Sequence, residues 1–467
     1  MDSETNIVLK YCFGEYKKNC YLCKKNFFQV EKMEKLTKEQ IEGAIKLLKM
    51  PADSKLVTHL NACVHCGLCA KSCMYYKATK DNRFIPARKV ELVASLYRKY
   101  CTLTGKIVPF LVNARELDEE MAAEMIDLLF GGCTMCGRCV KHCSIGVDIA
   151  YVVHTGRRML AAMGLVPKSL QSTVDAALET GNNMGIPTED FADTIQWMEE
   201  ELIDEYGENA RIPLNETGKR VLYTLNPREP KFFPLSISAM AKVFFAAKES
   251  WTISTNMYDV TNYGLFNGNN IQAGQIAKRL HDEVVNMGSQ VLVLGECGHG
   301  TRANRWEGAN YLKQKYNFEI ITVVELINQY IRGRRITLDK SLNQELVTIH
   351  DPCNLVRNGG LLSEIRFAVK NAVSNVVEMN PHGLDSFCCG GGGGQLAMSE
   401  YNDRRLKIGE IKAEQIRATS AKIVVTPCHN CVDQLSQLNH TCKLGVKIKT
   451  IAEIVADAVV MSRPEKS

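Results

Sequence analysis

Two cysteine runs stand out in the first third of the chain. Cys63-x2-Cys66-x2-Cys69-x3-Cys73 and Cys133-x2-Cys136-x2-Cys139-x3-Cys143 repeat one spacing. Thiolates are soft ligands that select zinc or iron with sulfide. Zinc sites more often use separated Cys-x2-Cys pairs, so four cysteines this close favour a cluster. Three thiolates wrap one corner of a cube of iron and sulfide, and the fourth must approach from elsewhere. A second set, Cys353-x34-Cys388-Cys389-x38-Cys428-x2-Cys431, lies near the C-terminus. Five thiolates are one more than a cube needs. The adjacent pair Cys388-Cys389 cannot easily reach two irons of one cube without strain, so an unusual cluster is expected.

The first spacing is that of bacterial ferredoxins, in which the fourth cysteine of each run ligates the other cluster. The expected sets are Cys63, Cys66, Cys69 and Cys143 on one cluster, and Cys133, Cys136, Cys139 and Cys73 on the other. Gly67 and Gly137 allow a tight turn that aims N–H groups at sulfur. Met74 and Ser144 stand where a proline usually follows the fourth cysteine. In the second set, Gly390 and Gly391 begin a run of five glycines that permits close backbone approach to a cluster or substrate. A helix pattern starting near Gln395 would bring a helix N-terminus to the thiolates. His350, His429 and His299 neighbour the cysteines, where they could supply protons, and Asp351 is placed to orient His350. Cys12, Cys20 and Cys23 offer three further soft ligands, read as incidental or structural unless a fourth joins them. Cys101 and Cys442 read as core residues.

These groups need elements to hold them. The 467 residues suffice for two to four domains, each with its own core. The 19 cysteines are clustered rather than spread as in a disulfide scaffold, and the start of the chain has neither a basic nor an apolar leader region. A reducing, cytoplasmic compartment is expected. The most apolar stretch, Phe232 to Ala247, is interrupted by Lys242 and too short to span a bilayer. A net charge of +5 gives no global field for nucleic acid.

Residues 1–50 read as an N-terminal extension ending in a helix from about Lys38 to Lys49. Residues 51–165 read as a helical domain, with helix patterns at Ala87–Tyr100 and Glu116–Leu129 between the cysteine runs. Residues 166–218 form a helical connector, acidic from Glu189 to Glu208. From 219 onward, β-rich runs at Arg220–Leu225, Gln290–Leu294, Glu345–Ile349 and Lys422–Thr426 alternate with helix patterns, which implies parallel strands. The segment around Cys297 resembles that around Cys428, so 219–340 and 341–467 read as two copies of one α/β unit. In a parallel sheet the ends of neighbouring strands share an edge, where distant cysteines converge.

The segments HDPCN (350–354), FCCGGGGG (387–394) and TPCHNC (426–431) resemble the CCG domain of heterodisulfide reductases. The layout over roughly 55–460 is similar to the D-type polypeptide of membrane-linked heterodisulfide reductases and to the DsrK-type subunits of sulfate-reducer membrane complexes, with relatives in the Hmc and Tmc complexes. The resemblance implies an α + α/β fold: a helical twin-[4Fe–4S] ferredoxin domain, then two CCG-like repeats of which the first is degenerate. It implies that Cys353, Cys388, Cys389, Cys428 and Cys431 hold one noncubane [4Fe–4S] cluster beside the two cubanes. Cys297 is the one cysteine retained by the first copy, as an extra ligand, a substrate-facing thiol or a relic.

The function implied is that of an iron–sulfur subunit peripheral to the inner face of the cell membrane, serving sulfate or sulfite respiration. A cytochrome b-type partner would exchange electrons with a quinone pool, and a disulfide or trisulfide on a carrier protein or small thiol would be reduced. No dinucleotide fingerprint, Walker loop or haem-attachment motif occurs, so flavin, NAD and haem are not expected in this chain. A pure electron relay between periplasmic cytochromes or quinone and a cytoplasmic acceptor is the alternative. An iron–sulfur subunit of a hydroxyacid or glycerol-3-phosphate dehydrogenase is a third reading.

Overall fold

A computed structural model describes residues 33–49 and 54–461. Cys12, Cys20 and Cys23 lie outside the described residues. The chain divides into two compact units, Met1–Pro167 and Lys168–Ser467, and the acidic connector falls within the second.

The described part of the first unit is helical. Helix α1 (Lys38–Lys49) buries Ala44, Ile45 and Leu48; α2 (Ser54–Ala62) follows. Helix α3 (Pro86–Cys101) starts with Pro86 at its first turn, where a missing N–H costs nothing and the fixed φ suits the helix. Helix α4 (Glu119–Met125) begins later than the periodicity predicts, because the Asp118 carboxylate caps it by accepting the Met121 N–H at 2.8 Å. It continues into a wider π turn at Ile126–Phe130. Helix α5 (Ile149–Ala162) is capped by Asp148. It crosses close to this turn, since a Cβ on Gly156 would lie 2.4 Å from Leu129 Cδ1. Buried Arg157 of α5 donates to the carbonyls of Leu129 (3.0 Å) and Cys133 (2.9 Å), which fixes the start of the second cysteine run.

The second unit opens with α6 (Lys168–Thr180) and α7 (Thr188–Tyr206). Phe191, Ile195, Met198, Leu202 and Tyr206 form the buried stripe of α7, and its acids occupy the rest of the helix surface. Two four-stranded sheets follow. The first comprises β1 (Val221–Tyr223), β2 (Trp251–Thr252), β3 (Val291–Leu294) and β4 (Glu319–Thr322), in the order β2-β1-β3-β4. The second comprises β5 (Leu346–Ile349), β6 (Asn375–Val377), β7 (Ile423–Val425) and β8 (Lys447–Lys449), in the order β6-β5-β7-β8.

Every pairing is parallel, and the two orders are the same. The central strands are buried apolar runs, as covering helices on both faces require. One hydrophobic core, including Val221, Val293, Val347 and Val425, continues under both sheets. Helix α8 (Leu235–Ala246) packs on α9 (Ile451–Ala458) in this core, and α9 is held at its start by a Thr450–Glu453 capping box.

Candidate functional site

The loops after β5 and β7 and the loop following β6 meet at one edge of the second sheet. Cys353, Cys388, Cys389, Cys428 and Cys431 all line one open cavity of about 450 Å³. Cys428 forms the N-cap of α10 (His429–Cys442), which places Cys431 on its first turn. The Cys389 and Cys431 sulfurs are 3.5 Å apart. Four of the five thiols are buried, and Cys353 is half-buried.

Backbone N–H groups point at the sulfurs of Cys388, Cys389 and Cys428. Gly390 donates to Cys388, Gly391 to Cys389 and Gly298 to Cys428, each at 3.4 Å. The thiols titrate as a coupled set. Hydrogen bonds from Cys388 and Cys431 hold Cys389 well below the usual thiol range. A hydrogen bond from Cys431 brings Cys428 down to about 6, and Cys431, which serves both neighbours, is pushed up.

The glycine run departs from expectation at its far end. No helix starts near Gln395. The backbone turns through Gly393 (φ 66°) and Gly394 (φ 89°), left-handed conformations that end rather than begin a helix, and the next α-helix, α11 (Asn402–Thr419), begins seven residues later. The donors to the paired cysteines therefore come from Gly390 and Gly391 themselves. A Cβ on Gly391 would lie 3.0 Å from Gln434 Cβ, a tight approach that its neighbours would have to relieve by a few tenths of an ångström.

Of the three histidines, His350 sits deepest in the cysteine group. It lines the cavity, and one of its ring nitrogens lies within 4.8 Å of the Cys389 and Cys431 sulfurs. Burial pushes its pKa well down, so it is neutral, and neither ring nitrogen has a hydrogen-bond partner among the described residues. Asp351 does not orient it. That carboxylate pairs with Arg366 and accepts the Gly383 N–H at 2.6 Å. His299 also lines the cavity, with Nε2 2.6 Å from the Asn262 carbonyl, and burial lowers it to about 4. His429 turns away from the cavity. Its ring faces the Glu229 carboxylate at 3.4 Å, and although burial opposes protonation, this charge raises it to about 9.

Cys297 is fully buried at the corresponding edge of the first sheet and does not line the cavity. Its sulfur accepts the Gly300 N–H at 3.2 Å, with Asn226 Nδ2 at 3.5 Å. Leu292 precedes Cys297 by the same interval as Ile423 precedes Cys428. Their pairings, with Leu222 and with Val347, then align Arg228 with Cys353. A buried guanidinium, bonded to Asp433 at 2.9 Å, thus stands where the second sheet has a thiol.

In the first unit, Cys63, Cys66, Cys69 and Cys143 line one cavity of about 380 Å³, and Cys73, Cys133, Cys136 and Cys139 line another of about 430 Å³. The two runs fold alike. His65 (φ 53°) and Gly67 (φ 79°) in one, and Met135 (φ 53°) and Gly137 (φ 74°) in the other, bend the backbone through the left-handed region. The Met135 N–H reaches Cys133 and the Val147 N–H reaches Cys143, both at 3.4 Å. Burial raises Cys69 to about 12, so its thiolate depends on a bound cation. Cys101 and Cys442 are half-buried rather than core residues.

Some residues at these sites carry no signal in the sequence. Tyr263 and Phe266, from the first sheet's loops, form a wall of the cysteine cavity. Buried Lys89 lines the cavity around Cys133 and donates to the Gly132 carbonyl at 2.5 Å. Burial works against its charge, but the surrounding thiolates outweigh this and raise its pKa. The donor chemistry, convergent thiols with N–H groups on sulfur, fits iron–sulfur clusters.

The 4Fe-4S dicluster domain family matches residues 59–147, and the cysteine-rich CCG domain family matches residues 347–436. The chain is 28% identical over 450 residues to the Hdr-like menaquinol oxidoreductase iron-sulfur subunit 2 of Archaeoglobus fulgidus, an alignment covering 86% of this chain and 80% of that one. It is 25% identical to the D polypeptide of the dihydromethanophenazine:CoB–CoM heterodisulfide reductase of Methanosarcina barkeri, with 86% and 95% covered. The chain carries a 4Fe-4S dicluster domain and a cysteine-rich CCG domain, and over most of its length it is similar to Hdr-like menaquinol oxidoreductase iron-sulfur subunits and heterodisulfide reductase D polypeptides. A larger protein is also similar: the chain is 23% identical to the EtfAB:quinone oxidoreductase of Syntrophomonas wolfei, covering 86% of this chain and 58% of that one. These matches support an iron–sulfur electron-transfer protein. Among the described residues, no helix is long and apolar enough to cross a membrane.

Proposed function

We propose that this chain is the peripheral, cytoplasm-facing iron–sulfur subunit of a membrane redox complex and reduces a disulfide or trisulfide at the five-cysteine cavity. The eight cysteines of the first unit would hold two cubane clusters, and Cys353, Cys388, Cys389, Cys428 and Cys431 one noncubane cluster. When bound, these clusters supply one-electron transfer and a thiophilic iron. A cytochrome b-type membrane partner would deliver electrons from a quinol. Reduction of a disulfide takes up two electrons and two protons, breaks one S–S bond and releases two thiols.

The convergence of five thiols on one open cavity carries this reading, since a relay needs only a closed set of ligands. The chain's own residues shape that cavity for sulfur. Gly391 and Gly392 contribute backbone without side chains to its lining, Tyr263 and Phe266 wall it, and half-buried Cys353 is its most accessible thiol. His350, neutral and with no hydrogen-bond partner among the described residues, is available to donate to a sulfur bound there rather than to act as an acid. His429 takes no part.

The test is anaerobic mixing of the chemically reduced protein with a disulfide, counting thiols released while following reoxidation of the first unit's clusters. The reading expects Cys353→Ala to abolish thiol release while the first unit's clusters still accept electrons. A second reading, electron relay without chemistry at the cavity, draws on the likeness to two quinone-linked proteins. It expects the two readouts to survive or fail together.

A further inference from the structure

Residues 103–112 of the first unit, LTGKIVPFLV, are mostly apolar, yet the core leaves them out. Their short helix (Leu103–Ile107) buries only Gly105, and the turn that follows (Pro109–Val112) buries nothing. Leu103, Ile107, Phe110 and Leu111 are 70% to 80% exposed. Apolar residues exposed singly are ordinary, but four large ones crowded into one turn of chain mark a contact surface. Side chains this exposed stand clear of the protein, so the segment is a projecting tip and not a groove. It is braced from behind. The Thr102 hydroxyl accepts the Gly105 N–H at 3.1 Å, and Gly105 lies so close to α3 that a Cβ there would meet the Arg98 carbonyl at 1.9 Å. The charge around the tip has one sign. From Leu92 to Arg115 the chain carries Arg98, Lys99, Lys106 and Arg115 and no acid. Glu91, Glu116 and Glu124 answer three of these bases, and exposed Lys106 at the tip has no ion pair among the described residues. The Cys101 thiol, 3.8 Å from the Leu48 carbonyl, sets the end of α1 with its exposed Lys46 and Lys49 beside the base of the tip.

We propose that this tip seats the chain on an anionic lipid surface, with Leu103, Ile107, Phe110 and Leu111 entering the boundary between headgroups and acyl chains and Lys106 meeting the phosphates. The inference deepens the reading of the chain as a peripheral membrane subunit and is independent of the chemistry at the five-cysteine cavity. Such contacts combine apolar burial with attraction of bases to acidic headgroups, and an acid-free segment suits both. A protein socket would have to match four protruding side chains one by one, whereas a bilayer interface yields to them. The contact also sets which side of the first unit faces the membrane. Glu91 takes the Asn113 amide on one oxygen at 2.6 Å and faces His65 Nε2 with the other at 3.2 Å, so it ties the end of the tip to the first cysteine run. Exposed Val64, Leu68 and Ile145 line the cavity of Cys63, Cys66, Cys69 and Cys143, and Cys66 is itself exposed. A membrane at the tip lies on the side of that cavity.

The experiment is cosedimentation of the full-length, cluster-loaded protein with vesicles of phosphatidylcholine alone or of phosphatidylcholine and phosphatidylglycerol in equal parts. Wild type is compared with Phe110→Ser, Lys106→Glu and Ile271→Ser. Ile271 is as exposed as the tip residues but belongs to the second unit, so it controls for loss of any surface apolar group. Wild type is expected to bind the mixed vesicles. Phe110→Ser should bind them roughly tenfold more weakly, the effect of losing one inserted aromatic side chain, at unchanged iron content and melting temperature. Lys106→Glu should lose the preference for the acidic lipid, and Ile271→Ser should bind as wild type does. Full binding by Phe110→Ser, or an equal loss in Ile271→Ser, overturns the proposal. Wild type that ignores both kinds of vesicle but sediments with native membranes also overturns it, because the tip then fits a membrane protein, and the reading of the chain as a peripheral subunit stands. Wild type that ignores native membranes as well overturns both.

Discussion

The two sheets of the second unit have the same strand order and differ in what their edges hold. At the second edge five thiols face a cavity. At the first, Cys297 is sealed beneath Asn226 and the Gly300 N–H, Arg228 stands in place of Cys353, and His299 is spent on the Asn262 carbonyl. At the first edge Cys297, Arg228 and His299 Nε2 are each held by protein groups, whereas at the second neither ring nitrogen of His350 has a hydrogen-bond partner among the described residues. The first sheet has not become idle. Tyr263, Phe266, Gly298 and His299 close the cavity in front of the second sheet's cysteines. One scaffold presents five thiols in one place and a wall in the other, and the fold tolerates both because the strands, not the edges, build the core.

The comparison breaks most directly at matched positions. Cys428→Ala is expected to abolish thiol release and to remove the iron of that centre, read by iron and acid-labile sulfide analysis, while the first unit keeps its clusters. Arg366→Ala leaves the Asp351 carboxylate buried and unpaired beside the second edge, which should cost about 3 kcal/mol in a urea unfolding experiment. Phe266→Ala opens the wall contributed by the first sheet. It should raise KM roughly tenfold, the effect of losing an apolar contact, with iron content unchanged. Cys297→Ala is the mildest, with activity and iron retained and a loss of about 1 kcal/mol in stability from a small buried void and a lost N–H···S contact.

Local patterns are legible in the sequence, and long-range compensation is not. The cysteine runs announce themselves because their spacing is encoded within a few residues, and the four central strands because they are apolar runs, three of them entering cysteine turns. The outer strands carry little signal, since β2 has two residues and β6 and β8 are partly exposed at sheet edges. The helix expected near Gln395 fails on the backbone of Gly393 and Gly394, where glycine permits a turn that periodicity does not register. His350 and His429 look alike beside their cysteines, yet only the fold shows one facing the thiols and the other facing Glu229. Adjacency in sequence matches Asp351 with His350, and the distant Arg366 claims it instead. Lys89 cannot be found from sequence at all, because a lysine reads as surface until tertiary structure encloses it.

The central claim is that the second edge is a chemical site and not a vestige of its neighbour. The most direct measurement is the EPR spectrum of the anaerobically purified, oxidised protein, recorded with and without added thiol. The account predicts a paramagnetic oxidised-state signal that shifts when thiol binds and is absent from Cys353→Ala. Signals from reduced first-unit clusters alone, with no response to thiol, would contradict it.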